Sequence, residues 1–194
     1  MKLLFATQNS NKVKEVMRMI GSQHELITLA DLHYEDELEE SSLQLEENAL
    51  EKANHIFDQF NMNCFSEDTG LEIEALEGAP GALSARYAGE DKDPIKNMDK
   101  VLFELKDNNN RNARFRTVIA LVIDGKEFLY EGIIKGKITN DKRGANGFGY
   151  DPIFQPDGFE ITFAEMNGEE KNAISHRALA FAKMKEFLES EFAE

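Results

Sequence analysis

Two neighbouring acids, Glu67 and Asp68, stand between the apolar approach Cys64-Phe65-Ser66 and the pair Thr69-Gly70. An apolar run ending in Thr-Gly reads as a strand entering a turn, with Leu71-Glu72-Ile73 as a second short strand. Carboxylates at the carboxyl end of a strand in an open α/β sheet are placed to hold a divalent cation and polarise a water. An acidic turn is also an ordinary solvated surface feature, so a hydrolytic reading needs phosphate-binding groups elsewhere in the chain.

Such groups occur at two places. Lys2 to Thr7 is a short apolar run suited to a buried strand, and Gln8-Asn9-Ser10-Asn11 then switches abruptly to turn and N-cap residues. Val13, Val16, Met17 and Ile20 follow at helical spacing, with Gly21 as a stop. The start of that helix gathers free N–H groups with Thr7, Asn9 and Lys12, a setting in which phosphate oxygens bind. The full GxxxxGK[ST] pattern of a Walker loop is absent. The second place is Lys171 to Arg177, which is expected to open the last helix, with Ala178, Phe181, Met184 and Leu188 on its apolar side. Its Lys171, His176 and Arg177 form the densest basic group near a helix start in an acidic chain. Between the two lies Arg143 to Phe154, whose Gly144, Gly147 and Gly149 do not match the GxGxxG dinucleotide fingerprint and precede a strand instead of opening a helix. The glycines permit close backbone approach to a flat group, with Phe148 or Tyr150 as a stacking face and Asp151 as an acceptor.

The elements that must position these residues read as α/β. Glu25 to Leu29 is a second strand, followed by a densely acidic stretch from Tyr34 to Glu47 in which Glu35, Asp36 or Glu37 could complete a metal site. Leu45, Ala49, Ala53, Ile56, Phe57 and Phe60 trace the apolar side of a long helix. Gly78 to Gly89 is a loop of small residues in which Arg86 could reach a phosphate or a partner subunit, and Asp93 to Leu105 resumes helical spacing. Ala113 to Ile123 and Phe128 to Ile138 are strands joined across Asp124-Gly125, a hairpin signal. Arg114 and Arg116 share one face there and are expected to pair with acids.

Composition narrows the function classes. With 194 residues, 41% of them hydrophobic, the chain can bury one sizeable core or two lobes sharing a cleft. A net charge of −15 disfavours nucleic acid and anionic membranes as partners. No leading run has signal-peptide form and no segment has the length of a membrane span, so a cytoplasmic protein is expected. Cys64, the single cysteine, cannot form an internal disulfide and reads as a core residue.

Taken in order, ATQNSNK at residues 6–12, SEDTG at 66–70, GAPGALSARYAG at 78–89, GFGYDPIF at 147–154 and EKNAISHRA at 170–178 resemble the inosine/xanthosine triphosphate pyrophosphatase family. The resemblance covers nearly the whole chain. It implies a single domain over residues 1–194, α/β in class, in which a long curved mixed sheet with flanking helices forms two lobes around a nucleotide cleft, usually in a homodimer. The implied activity is hydrolysis of deaminated purine nucleoside triphosphates (ITP, dITP, XTP) to the monophosphate and pyrophosphate, by Mg²⁺-assisted attack of water on the α-phosphorus. Carried over by motif, Thr7, Gln8, Asn9, Ser10, Asn11 and Lys12 would bind phosphates, and Asp68 would be general base and magnesium contact. Thr69 would touch substrate, and Phe148, Gly149, Tyr150, Asp151, Lys171, His176 and Arg177 would hold base and sugar. Glu67 stands where many members carry a second Asp and is taken as a metal contact; Glu35 is taken as the upstream acidic ligand. Leu83 stands where a Tyr is frequent. Two other classes compete: a non-hydrolytic sensor of abnormal purine nucleotides, which would not need the acidic pair, and a phosphomonoesterase, which would release orthophosphate.

Overall fold

A computed structural model describes residues 1–20 and 24–192; the Gly21 helix stop lies outside the described residues. The elements run β1 (Lys2–Phe5), α1 (Ser10–Met19), β2 (Glu25–Thr28), α2 (Leu45–Phe60), β3 (Cys64–Ile73), β4 (Pro80–Gly81), α3 (Pro94–Glu104), β5 (Asn112–Ile123), β6 (Lys126–Ile138), β7 (Phe154–Pro156), α4 (Gly168–Ile174) and α5 (His176–Glu191). The expected α/β class holds. The strands form one sheet in the order β2-β1-β3-β5-β6-β7, with β4 paired to β3. It is mixed: β1 runs parallel to both β2 and β3, whereas β3–β4 and β6–β7 are antiparallel. β5 and β6 are joined at Asp124-Gly125, both at positive φ, the conformation that matches a two-residue hairpin turn.

The chain divides into two compact units, one of Met1–Asp68, Thr117–Gly132 and Arg177–Glu194, the other of Thr69–Arg116 and Ile133–His176. The first has a core of Leu3, Phe5, Val16, Ile20, Phe65, Ile119, Leu121, Phe181 and Met184, in which the Phe5 and Phe65 rings stack at 4.5 Å. The second is built on Leu71, Ile73, Val101, Leu105, Phe115, Phe154 and Phe163, with Phe115 edge-on to Phe154 at 4.7 Å. Arg114 and Arg116 both pair with Glu72, as an acidic surface partner required.

Two local expectations are corrected. Cys64 to Ile73 is one unbroken ten-residue strand, not strand, turn and strand. Gly70 serves a different purpose from a turn: a Cβ there would sit 2.7 Å from the carbonyl oxygen of Gly81 in the paired β4, so glycine is what lets the two backbones approach. The segment opening at Lys171 is likewise two helices. α4 carries an Asn167/Glu170 capping box and ends at Ile174; Ser175 is extended at φ −68°, ψ 155°, and α5 begins at His176.

Candidate active site

Alternation along β3 separates its two acids. Successive side chains of a strand point to opposite faces, and here Cys64, Ser66 and Asp68 face α2 while Phe65 and Glu67 face the other way. Cys64 Sγ donates to Ala53 O at 3.2 Å and Ser66 Oγ to Ala49 O, and Asn48 Nδ2 donates to Asp68 Oδ2 at 2.9 Å. On the opposite face Phe65 packs against Phe5 and Phe181, and Glu67 receives Arg177 Nε on both oxygens, at 2.9 and 2.7 Å. Lys12 Nζ lies 3.2 Å from Glu67 Oε1, and the Arg177 guanidinium also bonds Glu15 of α1. Burial alone would raise the Glu67 carboxyl, but Arg177 and Lys12 outweigh it and hold the group at about 2. Glu67 is thus a permanently ionised acid committed to the chain's own cations.

Asp68 sits in the contrary balance. It is only 4% exposed, and burial pushes its carboxyl above the ordinary aspartate value, with Glu40 adding to the rise and Lys52, Lys12 and the Asn48 bond opposing it. A carboxylate made more basic in this way suits proton abstraction from water. Lys52, itself buried, places its ammonium 3.6 Å from Asp68 Oδ1, 2.6 Å from Glu40 Oε1 and 3.0 Å from the Glu67 carbonyl. The upstream acid brought beside Asp68 is therefore Glu40. Glu35 is exposed, and its contribution is its carbonyl, which with that of Asp36 accepts from Gln8 Nε2.

The start of α1 is capped as its residue types require. Asn9 Oδ1 accepts from the N–H groups of Asn11 and Lys12, and Thr7 Oγ1 accepts from Asn9 N–H at 3.2 Å. Ser10 and Asn11 are exposed in the first turn, and Lys12 turns inward to Glu67.

The residues expected to hold the base lie in the second unit, Arg177 excepted. Asp151 Oδ2 accepts from Phe148 N–H at 2.8 Å and from Lys171 Nζ at 2.7 Å, and that ammonium stands 4.9 Å above the half-buried Phe148 ring. Gly147, at φ +72°, is required here, since a Cβ would fall 2.0 Å from Asp151 Oδ2. Tyr150 is buried with its hydroxyl donating to Ser84 O, and Gly149 follows Phe148 at φ +61°. His176 stacks on Phe115 at 4.6 Å. The basic trio is thus divided: Lys171 and His176 stay with Asp151 and the aromatic rings, and Arg177 belongs with Glu67 and Glu15. Thr69 is half-buried, the first residue of the second unit along β3.

The sequence matches the Ham1 family over residues 3–187. The chain belongs to the Ham1 family. Among Ham1 relatives, the dITP/XTP pyrophosphatase of Christiangramia forsetii is 47% identical over 188 residues, covering 97% of this chain and 99% of that protein. The dITP/XTP pyrophosphatase of Flavobacterium psychrophilum is 46% identical, covering 98% and 100%. The Staphylococcus aureus Ham1 protein superposes with a TM-score of 0.89 at 35% identity, covering 98% of this chain and 100% of that one. The corresponding figures for the Mycobacterium abscessus dITP/XTP pyrophosphatase structure are 0.77, 41%, 95% and 98%. Within this Ham1 chain, sequence reasoning missed Glu15, Glu40 and the buried contacts that Asn48 and Lys52 make with Asp68. A signal existed for the last two. They fall at i+3 and i+7 from Leu45, within the apolar stripe of α2, where an amide and an ammonium are out of place unless they face buried partners.

Proposed function

We propose that the protein hydrolyses deaminated purine nucleoside triphosphates such as dITP, XTP and ITP to the monophosphate and pyrophosphate, with water attacking the α-phosphorus. The observation that carries this reading is Asp68, a buried carboxylate of raised basicity held beside Lys52 in a Ham1 chain. In this scheme Asp68 takes the proton of the attacking water. Lys12, Thr7 and the exposed first turn of α1 receive phosphate oxygens, and Phe148 and Lys171 receive the base, by stacking and by donation to a 6-keto oxygen. Thr69, Gly149, Tyr150, Asp151 and His176 complete the proposed substrate contacts. Arg177 is given the role of holding Glu67 in place.

Mg²⁺ fits this setting. Among the described residues no three acids, histidines or cysteines converge as a ready-made cage. Mg²⁺ is nevertheless commonly held by one or two carboxylates together with substrate phosphates. Asp68 and Glu40 are the carboxylates that would supply them, and the ammonium of Lys52 between them is a cation already accepted at that position. When bound, the ion would offset charge developing on the phosphate oxygens.

Ion chromatography of the products from dITP, XTP, ITP and ATP tests the proposal. Pyrophosphate and the monophosphate are expected from the 6-keto nucleotides, with ATP turned over poorly. Orthophosphate with a diphosphate product would instead identify a terminal phosphatase, and binding without turnover a sensor.

A further inference from the structure

The Asn48 carboxamide is fully buried and uses both of its N–H donors and its carbonyl oxygen. Its Oδ1 accepts from Ser42 N–H at 2.9 Å, and its Nδ2 donates to Ser42 O at 3.0 Å and to Asp68 Oδ2 at 2.9 Å. Of the common side chains of this length, only an amide has two donors and an acceptor on one planar group. Ser42 belongs to a stretch, residues 35–44, with no helix or strand of its own, and the same stretch carries Glu40. Further bonds strap it to the first turns of α2: Ser41 Oγ to Glu51 at 3.0 Å, Ser42 Oγ to Glu47 at 2.5 Å, and Glu40 to Lys52. Asn48 joins Asp68 to the strapped segment through one planar group, beside the Lys52 ammonium, which reaches both Asp68 and Glu40.

We infer that Asn48 is a positioning residue for the hydrolysis. It orients the Asp68 carboxylate and fixes the Glu40-bearing segment against it, so that the two acids hold one geometry. The inference rests on the reading of Asp68 as the reacting carboxylate. Both oxygens of Asp68 are engaged from α2: Oδ2 accepts from Asn48, and Oδ1 lies 3.6 Å from the Lys52 ammonium. Loss of the amide would free the carboxylate to rotate and the segment to drift. A displacement of about 1 Å at a reacting group costs on the order of 10² in rate.

The informative variant is Asn48→Asp, which keeps size and the acceptor for Ser42 N–H, removes both donors and sets a second carboxylate against Asp68. On dITP it is expected to lower kcat about 10²-fold while KM changes less than about threefold. Asp68→Asn, measured alongside, is expected to be lower still. The exchange Asn48→Asp with Asp68→Asn rebuilds the bond between positions 48 and 68 in reverse but not the donation to Ser42 O; it should regain part of the thermal stability lost in the single Asn48→Asp variant while staying inactive. An Asn48→Asp enzyme within about threefold of wild-type kcat, beside an inactive Asp68→Asn, would overturn the positioning role alone. An active Asp68→Asn would overturn the reading of Asp68 and the inference with it. Should Asn48→Asp fail to fold, the exchange variant decides: a folded exchange variant supports the contact, and one as unfolded as Asn48→Asp overturns it.

Discussion

At the scale of single residues, two adjacent acids of similar chemistry are assigned opposite work by the alternation of one strand. Glu67 is held ionised by Arg177 and Lys12, whereas Asp68 is made more basic by burial. Asp68→Asn should therefore keep the fold, since it removes a poorly solvated charge, and lose on the order of 10²–10⁴ in kcat as expected for a general base. Glu67→Gln should do the reverse in kind: it leaves a buried guanidinium and ammonium short of counter-charge, a change that costs about 3–5 kcal/mol when a buried pair is broken. For a chain of this length that is on the order of 10 °C in melting temperature. Calorimetry and steady-state kinetics on the two variants check both halves; equal melting temperatures would refute the division of labour. Cys64 offers a third residue-scale check. Burial pushes its thiol up to about 12, and its Sγ–H is bonded to Ala53 O. Iodoacetamide at pH 8 should leave the native protein unlabelled by mass and label it fully in denaturant.

At the scale of elements, periodicity made most of the chain legible and punctuation residues misled. The β1–α1 unit, the long α2 and the β5–β6 hairpin follow directly from apolar spacing, an N-cap asparagine and Asp-Gly. Thr69-Gly70 was misleading because glycine marks turns and also marks places where another backbone comes close, and local sequence does not separate the two. Only the pairing of β3 with Pro80–Gly81, a non-local contact, shows which applies. Gly70→Ala should accordingly cost about 1–3 kcal/mol by overpacking against backbone that has no side-chain freedom to yield, read as a lowered denaturation midpoint. An unchanged midpoint would mean that β4 shifts freely. The partners of Asp68 were hidden for a related reason. Asn48 and Lys52 are spelled as part of a helix stripe, and their target lies about twenty residues away on a strand whose facing depends on register. Upstream, Glu35, Asp36 and Glu37 were the acids considered and Glu40 was not, because a run of acids without periodicity carries no information on which member turns inward.

For the whole molecule the governing quantity is the net charge of −15. Excess like charge opposes compaction through self-repulsion, and much of it is carried by exposed acids such as those of residues 35–47. Ion pairs respond to salt according to burial. Exposed ones, such as Lys2–Glu25 and Lys106–Asp107, contribute little at any ionic strength. The Arg177 pairs with Glu67 and Glu15 are out of reach of counter-ions. Raising NaCl from about 10 to about 100 mM shortens the screening length from about 30 to about 10 Å, which suppresses the long-range repulsion while leaving the buried pairs intact. Stability should therefore rise, by about 1 kcal/mol, which corresponds to about 2–4 °C in melting temperature for a chain of this size. Differential scanning calorimetry across that range, at fixed pH and without nucleotide or divalent cation, measures it. A fall in melting temperature over the same range would mean that screened surface attraction outweighs repulsion, and the exposed pairs would then have to be counted among the contacts that hold the fold.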